Sequence, residues 1–102
     1  MADNSDAVSY APTGKIDESN WQAFSESLIA AVEQAAAQQT KLVVDLSGVP
    51  YMSSRGLRAL TLARKAAGDR VEIVLASPDA RLREILAISR YDKIFRVEDA
   101  VG

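Results

Sequence analysis

Two short apolar runs constrain this chain of 102 residues most, because each is followed by a segment with helical spacing. The runs are KLVVDL, residues 41–46, and VEIVLAS, residues 71–77, and both are rich in β-branched residues. Continuous runs of this kind are typical of strands buried in a covered sheet. The first run is the expected centre of the sheet. Strands that alternate with helices predict right-handed crossovers and parallel pairing in this half of the chain.

Helical spacing is found first after Ser19. From Trp21 onward, apolar residues recur three and four positions apart, which predicts one buried helical face. Ser19 and Gln22 match the S-x-x-Q capping box, so we expect them to begin this helix. A second helix is predicted over residues 54–67 and is ended by Gly68.

The last third of the chain predicts one more helix and a closing strand. In SPDARLREILAIS, residues 77–89, Ser77 is the expected cap and Pro78 takes the first helical position. The segment DKIFRVED, residues 92–99, supplies a short strand, and residues 7–10 supply another at the start of the chain.

These elements predict an α/β fold with a mixed β-sheet of about four to five strands and helices packed mainly on one face. The length suits one domain with its own core, and we place that domain at residues 7–102. Residues 1–6 are polar and acidic, and we expect a flexible N-terminus there.

Composition excludes several function classes. The chain has no cysteine and no histidine, so it lacks thiolate and imidazole chemistry, and we expect no enzyme activity, metal site or cofactor. A net charge of -2 gives no electrostatic reason to expect nucleic acid or an anionic membrane as partner. No apolar run approaches the roughly 18 residues of a membrane span. We therefore expect a cytoplasmic protein, without membrane insertion, whose partner is another protein.

The segment YMSSRGLRAL, residues 51–60, places two serines at the start of the second helix. Serine is a good N-cap, worth about 1 kcal/mol, but only one of two neighbours can be the cap. If Ser53 caps, the Ser54 hydroxyl is free at the sheet rim where α/β proteins place functional groups. Neither serine suits a nucleophile, because the G-x-S-x-G elbow is incomplete and no histidine base exists. An exposed hydroxyl can still accept phosphate from a kinase, which brings its own base and metal.

Three segments together resemble the STAS domain family, which anti-sigma factor antagonists share with the cytoplasmic tails of sulfate transporters. The segments are GKID at residues 14–17, LVVDLSGVPYMSSRGLRAL at residues 42–60 and LREILAISRYDKIFRVED at residues 82–99. The resemblance covers nearly the whole chain from about Val8. It implies a single STAS-like domain and, in the antagonist branch, a non-enzymatic partner-switching phosphoprotein that regulates transcription.

The resemblance also implies the site. Ser54 stands two positions before a Gly-Leu pair, where antagonists are phosphorylated, and Ser53 is the alternative acceptor. The unphosphorylated protein would bind an anti-sigma factor that is itself a serine kinase of the GHKL type, and phosphorylation would end binding. A serine phosphatase would be a further partner. The implied partner-binding residues are Asp17, Ser53, Ser54, Arg55, Gly56, Leu57 and Arg58.

Two residues depart from the family pattern. Ser53 stands where many phosphorylated members have aspartate or threonine, and Arg55, a cation beside the proposed phosphate, stands where a small residue is common. Two carboxylates have structural alternatives, since Asp17 can support the start of the first helix and Asp45 can tie down a strand end. The alternative function is an unmodified STAS subunit that docks the same turn on the ATPase of an ABC transporter. A third alternative, a small enzyme or nucleotide-binding domain, would rest on the α/β fold alone, and a fold does not determine function.

Overall fold

The computed structural model describes residues 7–99, in which four strands and three α-helices alternate along the chain. The expected flexible segment, residues 1–6, and the last three residues of the expected domain lie outside the described residues. A one-turn 3-10 helix at Tyr91–Lys93 precedes the last strand. The elements are β1 Val8–Tyr10, α1 Trp21–Ala37, β2 Leu42–Asp45, α2 Ser54–Ala67, β3 Ile73–Ala76, α3 Ala80–Ile88 and β4 Arg96–Glu98.

The sheet confirms the expected α/β fold class. Its strand order is β1-β2-β3-β4, so β2 lies inside the sheet as expected, with Leu42 opposite both Val8 and Ile73. Every pairing within residues 7–99 is parallel, where a mixed sheet was expected. The reason is that each connection between successive strands contains an α-helix, which returns the chain to the same end of the sheet.

One face of the sheet forms the core together with the helices. Leu42 and Val44 of β2 and Leu75 of β3 are fully buried and share one hydrophobic cluster with residues from all three helices. Side chains of a strand alternate between faces, so these residues point to the same side. This arrangement agrees with the prediction that the helices pack mainly on one face. Burial of each such side chain stabilises the fold by about 1.5–3 kcal/mol.

The start of α1 differs from its prediction. The N-cap is Asn20, whose side chain makes no capping hydrogen bond to the helix. The predicted capping box of Ser19 and Gln22 is wrong, because the Ser19 hydroxyl instead donates to the Asp17 carboxylate, 2.6 Å away. A carboxylate is a stronger acceptor than a neutral oxygen, so it competes well for this hydroxyl.

The start of α3 also differs. Ser77 was expected to cap this helix, but its amide donates to the Glu98 carbonyl at 2.8 Å, and its φ is 60°. Ser77 therefore still belongs to the end of the sheet, and the helix begins later. Asp79 is the N-cap, and its carboxylate accepts from the Leu82 amide at 2.9 Å. Pro78 precedes the cap and does not occupy the first helical position.

Candidate functional site

The turn between β2 and α2 is joined by backbone hydrogen bonds to the segment before α1. The Ile16 amide donates to the Tyr51 carbonyl at 3.0 Å, and the Ser53 amide donates to the Ile16 carbonyl at 2.8 Å. Ile16 and Met52 form a parallel bridge, and both side chains are buried. The GKID segment and the serine turn, far apart in sequence, therefore form one rigid unit at the rim of the sheet.

The two serines of this turn have different environments. Ser53 is the N-cap of α2, and its hydroxyl accepts from the Gly56 amide at 3.3 Å. Its side chain is nearly enclosed, with 6% of the residue exposed. Ser54 is the first residue of α2 and is exposed to solvent. The structure thus confirms that Ser53 caps and that the Ser54 hydroxyl is accessible.

Gly56 allows α2 to pack directly on the Ile16–Met52 bridge. A Cβ atom at this position would lie 2.5 Å from Met52 Cγ and 2.8 Å from Ile16 Cγ2. Both distances are far inside van der Waals contact, so a larger residue would push the first turn of the helix outward. Gly56 therefore determines where the first turn of α2, including Ser54, sits relative to the sheet.

The two carboxylates with structural alternatives are both engaged locally. Hydrogen bonds from the Ser19 hydroxyl and then from the Ser19 amide lower the pKa of the Asp17 carboxyl below 3.8. The Asp17 carbonyl accepts from the Trp21 amide at 2.9 Å, so this residue supports the start of α1 while remaining partly exposed. The Asp45 carboxylate accepts from the Ser47 amide at 3.0 Å and ties down the end of β2.

Burial divides the partner-binding residues expected from the sequence. Ser54, Arg55 and Arg58 are exposed and lie on one side of α2, where a partner could touch them. A second group is buried and can act on a partner only through the shape of the turn. That group consists of Ser53, Gly56 and Leu57.

An open groove of about 760 Å³ runs along the exposed face of α2. The two walls are Trp21 and Tyr91, and the helix contributes Ser54, Arg55, Arg58, Thr61, Leu62 and Lys65. We call this surface the α2 groove. The sequence predicted three of these residues, Ser54, Arg55 and Arg58, as part of a binding site. It did not predict the remaining ones. The spacing of Ser54, Arg58, Leu62 and Lys65 places them on one helical face, but nothing local indicates the two aromatic walls.

The α2 groove is electropositive and partly apolar. The Arg55 guanidinium lies over the Trp21 ring, 5.8 Å from its centroid, within cation–π range. The Tyr91 hydroxyl is hydrogen-bonded to that of Thr61 at 2.8 Å, which holds the other wall against the helix. Among residues 7–99, no acidic side chain lines the groove.

The chemistry that this site offers is that of a hydroxyl group and two guanidinium groups. Within residues 7–99, no group of three or more acidic residues could hold a metal ion, and the chain has no histidine or cysteine. The same part of the chain contains no helix that is both long and apolar enough to cross a membrane. An accessible hydroxyl beside two arginines can accept a phosphoryl group or contact a partner without any further chemistry from this chain.

The STAS domain family model matches residues 1–102. A relative, the STAS-domain containing protein of Pseudomonas aeruginosa (strain UCBPP-PA14), is 37% identical over 68 residues. That alignment covers 66% of this chain and 67% of the relative.

Two solved structures are similar in fold. A candidate anti-sigma factor antagonist of Thermotoga maritima superposes with a TM-score of 0.81 at 19% identity, covering 94% of this chain and 81% of that one. A sulfate transporter family protein of Wolinella succinogenes superposes with a TM-score of 0.78 at 15% identity, covering 99% and 83%. At these identities the likeness concerns the fold, which does not by itself decide between the two functions.

Proposed function

The chain belongs to the STAS domain family, and we propose that it is an anti-sigma factor antagonist, a non-enzymatic switch controlled by phosphorylation of Ser54. The observation that carries the proposal is the exposed Ser54 hydroxyl at the first position of α2, beside a buried Ser53 that is already used as the cap. With Ser53 committed to the helix, Ser54 is the acceptor. The likeness in fold to a candidate antagonist of Thermotoga maritima is consistent with this choice.

Phosphorylation at Ser54 adds charge where this fold tolerates it. A phosphate group brings about -1.5 to -2 charge units. The positive end of the α2 dipole favours an anion, and the first turn of α2 contains no acidic residue that would repel it. A partner that covers the turn must desolvate the same charge, so modification weakens the complex while leaving the domain folded.

The partner in this proposal is an anti-sigma factor that is also a serine kinase of the GHKL type. It binds the unphosphorylated protein through Asp17, Ser54, Arg55 and Arg58, and it supplies the ATP and metal that this chain lacks. A serine phosphatase restores the binding form. Such a switch regulates transcription in the cytoplasm, where the kinase and its nucleotide are available.

Phosphate transfer to a single serine tests the proposal. The purified protein is incubated with ATP and an anti-sigma factor kinase encoded in the same genome, and phosphate is located by mass spectrometry. We expect stoichiometric phosphate on Ser54, none on the Ser54→Ala variant, and normal modification of Ser54 in the Ser53→Ala variant. Stoichiometric phosphorylation of the Ser54→Ala variant would show that Ser54 is not the phosphate acceptor.

The same fold occurs in a sulfate transporter family protein, so the fold is also compatible with a second candidate function. In this alternative the chain is an unmodified STAS subunit that docks the same turn on the ATPase of an ABC transporter. Co-purification with such an ATPase, equally strong for wild type and Ser54→Asp, would favour the subunit. A phosphomimetic that abolishes binding would favour the switch.

A further inference from the structure

The cations of the α2 groove are Arg55, Arg58 and Lys65, and none of them has a carboxylate partner within the described part of the chain. Several other arginines pair with carboxylates, as Arg70 does with Glu33 and Arg96 with Glu72 and Glu98. No ion pair within residues 7–99 involves the groove cations, and α2 contains no acidic residue. This concentration of positive charge occurs in a chain whose net charge is -2. The groove is therefore a local positive field on an acidic protein, which attracts anionic groups.

Apolar surface lies between these charges. Leu62 is only half-buried and lines the groove, although it belongs to a helix whose other leucines pack in the core. Trp21 and Tyr91 flank it from separate elements. A ligand that is purely ionic would leave this apolar strip without contact, whereas one with an apolar side chain between acidic residues would cover both.

The size of the α2 groove suits a short peptide segment. Ser54 and Lys65 mark its ends along α2, and eleven steps at ~1.5 Å each separate them by about 16 Å. A segment of about three helical turns spans this distance. Such amphipathic segments commonly bind in grooves through side chains spaced three and four residues apart.

Nucleic acid fits less well, because the aromatic faces are already used. The Arg55 guanidinium covers the Trp21 ring, and Tyr91 is stacked with Phe95 at a centroid distance of 6.1 Å. Binding of single strands relies on free aromatic faces for base stacking and on an extended positive groove. The acidic remainder of the chain would also repel a phosphate backbone outside the groove.

We propose that the α2 groove binds an acidic protein segment with an apolar anchor, the carboxylates facing Arg58 and Lys65 and the apolar side chain covering Leu62. This inference rests on the proposed function for its biological setting, because it names the chemistry of the partner at the same site. It also explains how phosphate would act. A phosphoryl group on Ser54 sits at one end of the groove, offsets the charge of Arg55 and Arg58, and repels the acidic segment.

Binding of defined probes tests the proposal without any partner or kinase. The main probe is a fluorescein-labelled helical peptide of about twelve residues in which Glu and Leu alternate at helical spacing. Control probes replace each Leu by Ser, replace each Glu by Lys, or are an oligothymidine of similar length. Fluorescence anisotropy should give the main probe a Kd at least about tenfold below that of each control. Equal binding of the peptides, or tightest binding of the oligonucleotide, would overturn the proposal.

Matched variants locate the binding. Lys65→Glu should raise the Kd of the main probe by about tenfold, and Lys65→Gln by a smaller factor. Lys41→Glu makes the same charge change at an exposed position just before β2, outside the groove, and should leave the Kd unchanged. Circular dichroism of each variant checks that the fold is retained. If Lys65→Glu and Lys41→Glu behave alike, the groove is not the binding site.

A phosphomimetic arm separates this inference from the proposed function. Ser54→Asp should weaken binding of the main probe several-fold, and Ser54→Asn, which has a similar size but no charge, should weaken it by a clearly smaller factor. If the main probe binds specifically but no kinase modifies the protein, the groove is the binding site and the proposed phosphorylation switch is wrong. Conversely, if Ser54 is phosphorylated but the acidic peptide does not bind specifically, the proposed switch stands and the proposal for the α2 groove is wrong.

Discussion

At the level of single residues, two adjacent serines in the same turn have unlike roles because one hydroxyl faces the helix and the other faces solvent. The Ser53 hydroxyl accepts from the Gly56 amide inside the protein, and the Ser54 side chain is exposed to solvent. The difference depends on a single step along the backbone. The same substitution should therefore change the free energy of unfolding by different amounts at the two positions.

The first prediction compares the two serines. Ser53→Ala leaves the Gly56 amide without its acceptor and should lower the free energy of unfolding by about 1 kcal/mol. Ser54→Ala should change it by less than about 0.5 kcal/mol, because its side chain is exposed. Urea unfolding followed by circular dichroism measures both. Equal losses would show that the cap is shared or is unimportant.

The second prediction concerns the Asp17 carboxyl, whose pKa is lowered chiefly by the Ser19 hydroxyl. Ser19→Ala should raise the pKa of Asp17 towards 3.8, as followed by carboxyl carbon NMR during an acid titration. The control is Ser27→Ala, another exposed serine, which should leave this titration unchanged. An unchanged pKa in Ser19→Ala would show that the hydroxyl is not the cause.

The sign of the associated stability change follows from the direction of the shift. A carboxyl whose pKa is lower in the folded state contributes stability above its unfolded pKa and loses it as the pH falls through the folded value. The advantage of wild type over Ser19→Ala from this ionisation is therefore present near neutral pH. It should disappear in acid, below the folded pKa of Asp17.

At the level of elements, the start of α2 is held by its contact with the Ile16–Met52 bridge. Sequence periodicity correctly predicted the limits of this helix, because its apolar face and its terminal Gly68 are local signals. It could not predict that the helix needs a glycine two residues after Ser54. That requirement comes from the close approach of Met52 and of Ile16, and Ile16 belongs to a distant segment.

The third prediction tests this packing. Glycine to alanine in an open helical position stabilises a protein by about 0.5–1 kcal/mol. Gly56→Ala should instead lower the free energy of unfolding by about 1–3 kcal/mol, because the added methyl overlaps Met52 and Ile16. Guanidinium unfolding measures the change. A gain in stability would mean that the close approach is absent in solution.

A double-mutant cycle provides the control for this third prediction. Met52→Ala removes the side-chain atom nearest to the added methyl, so Gly56→Ala should be less damaging in that background. The two substitutions should therefore be less than additive. Additive losses would place the damage elsewhere than at Met52.

Considered as a whole molecule, the protein combines a rigid parallel sheet with a charged, exposed helix face. The fold class, the order of elements and the interior position of β2 could be predicted, since each depends on local pattern and on general rules of chain connection. The caps of α1 and α3 were predicted wrongly for two different reasons. Asp17 accepts the Ser19 hydroxyl in a local turn that competes with the capping box, whereas Glu98 accepts the Ser77 amide only once the distant strand β4 has joined the sheet.

The fourth prediction is that the folded domain tolerates negative charge at Ser54. Ser54→Asp should keep or raise the free energy of unfolding, by up to about 1 kcal/mol at low salt, because the carboxylate interacts favourably with the α2 dipole. Ser54→Lys, the opposite charge at the same position, should lower it, and both effects should shrink in high salt. Thermal unfolding in two salt concentrations measures them. A strongly destabilised Ser54→Asp would make loss of binding in that variant an effect of unfolding.

The sequence by itself determined the elements and the candidate serines, because strand runs, helical spacing and the absence of histidine and cysteine are properties of local order and composition. Tertiary structure decided which serine is buried, why residue 56 is glycine, and where the α2 groove lies. The physical reason is that burial and shape depend on contacts between distant segments. Trp21 and Tyr91 form the walls of one groove only after the chain has folded around α2.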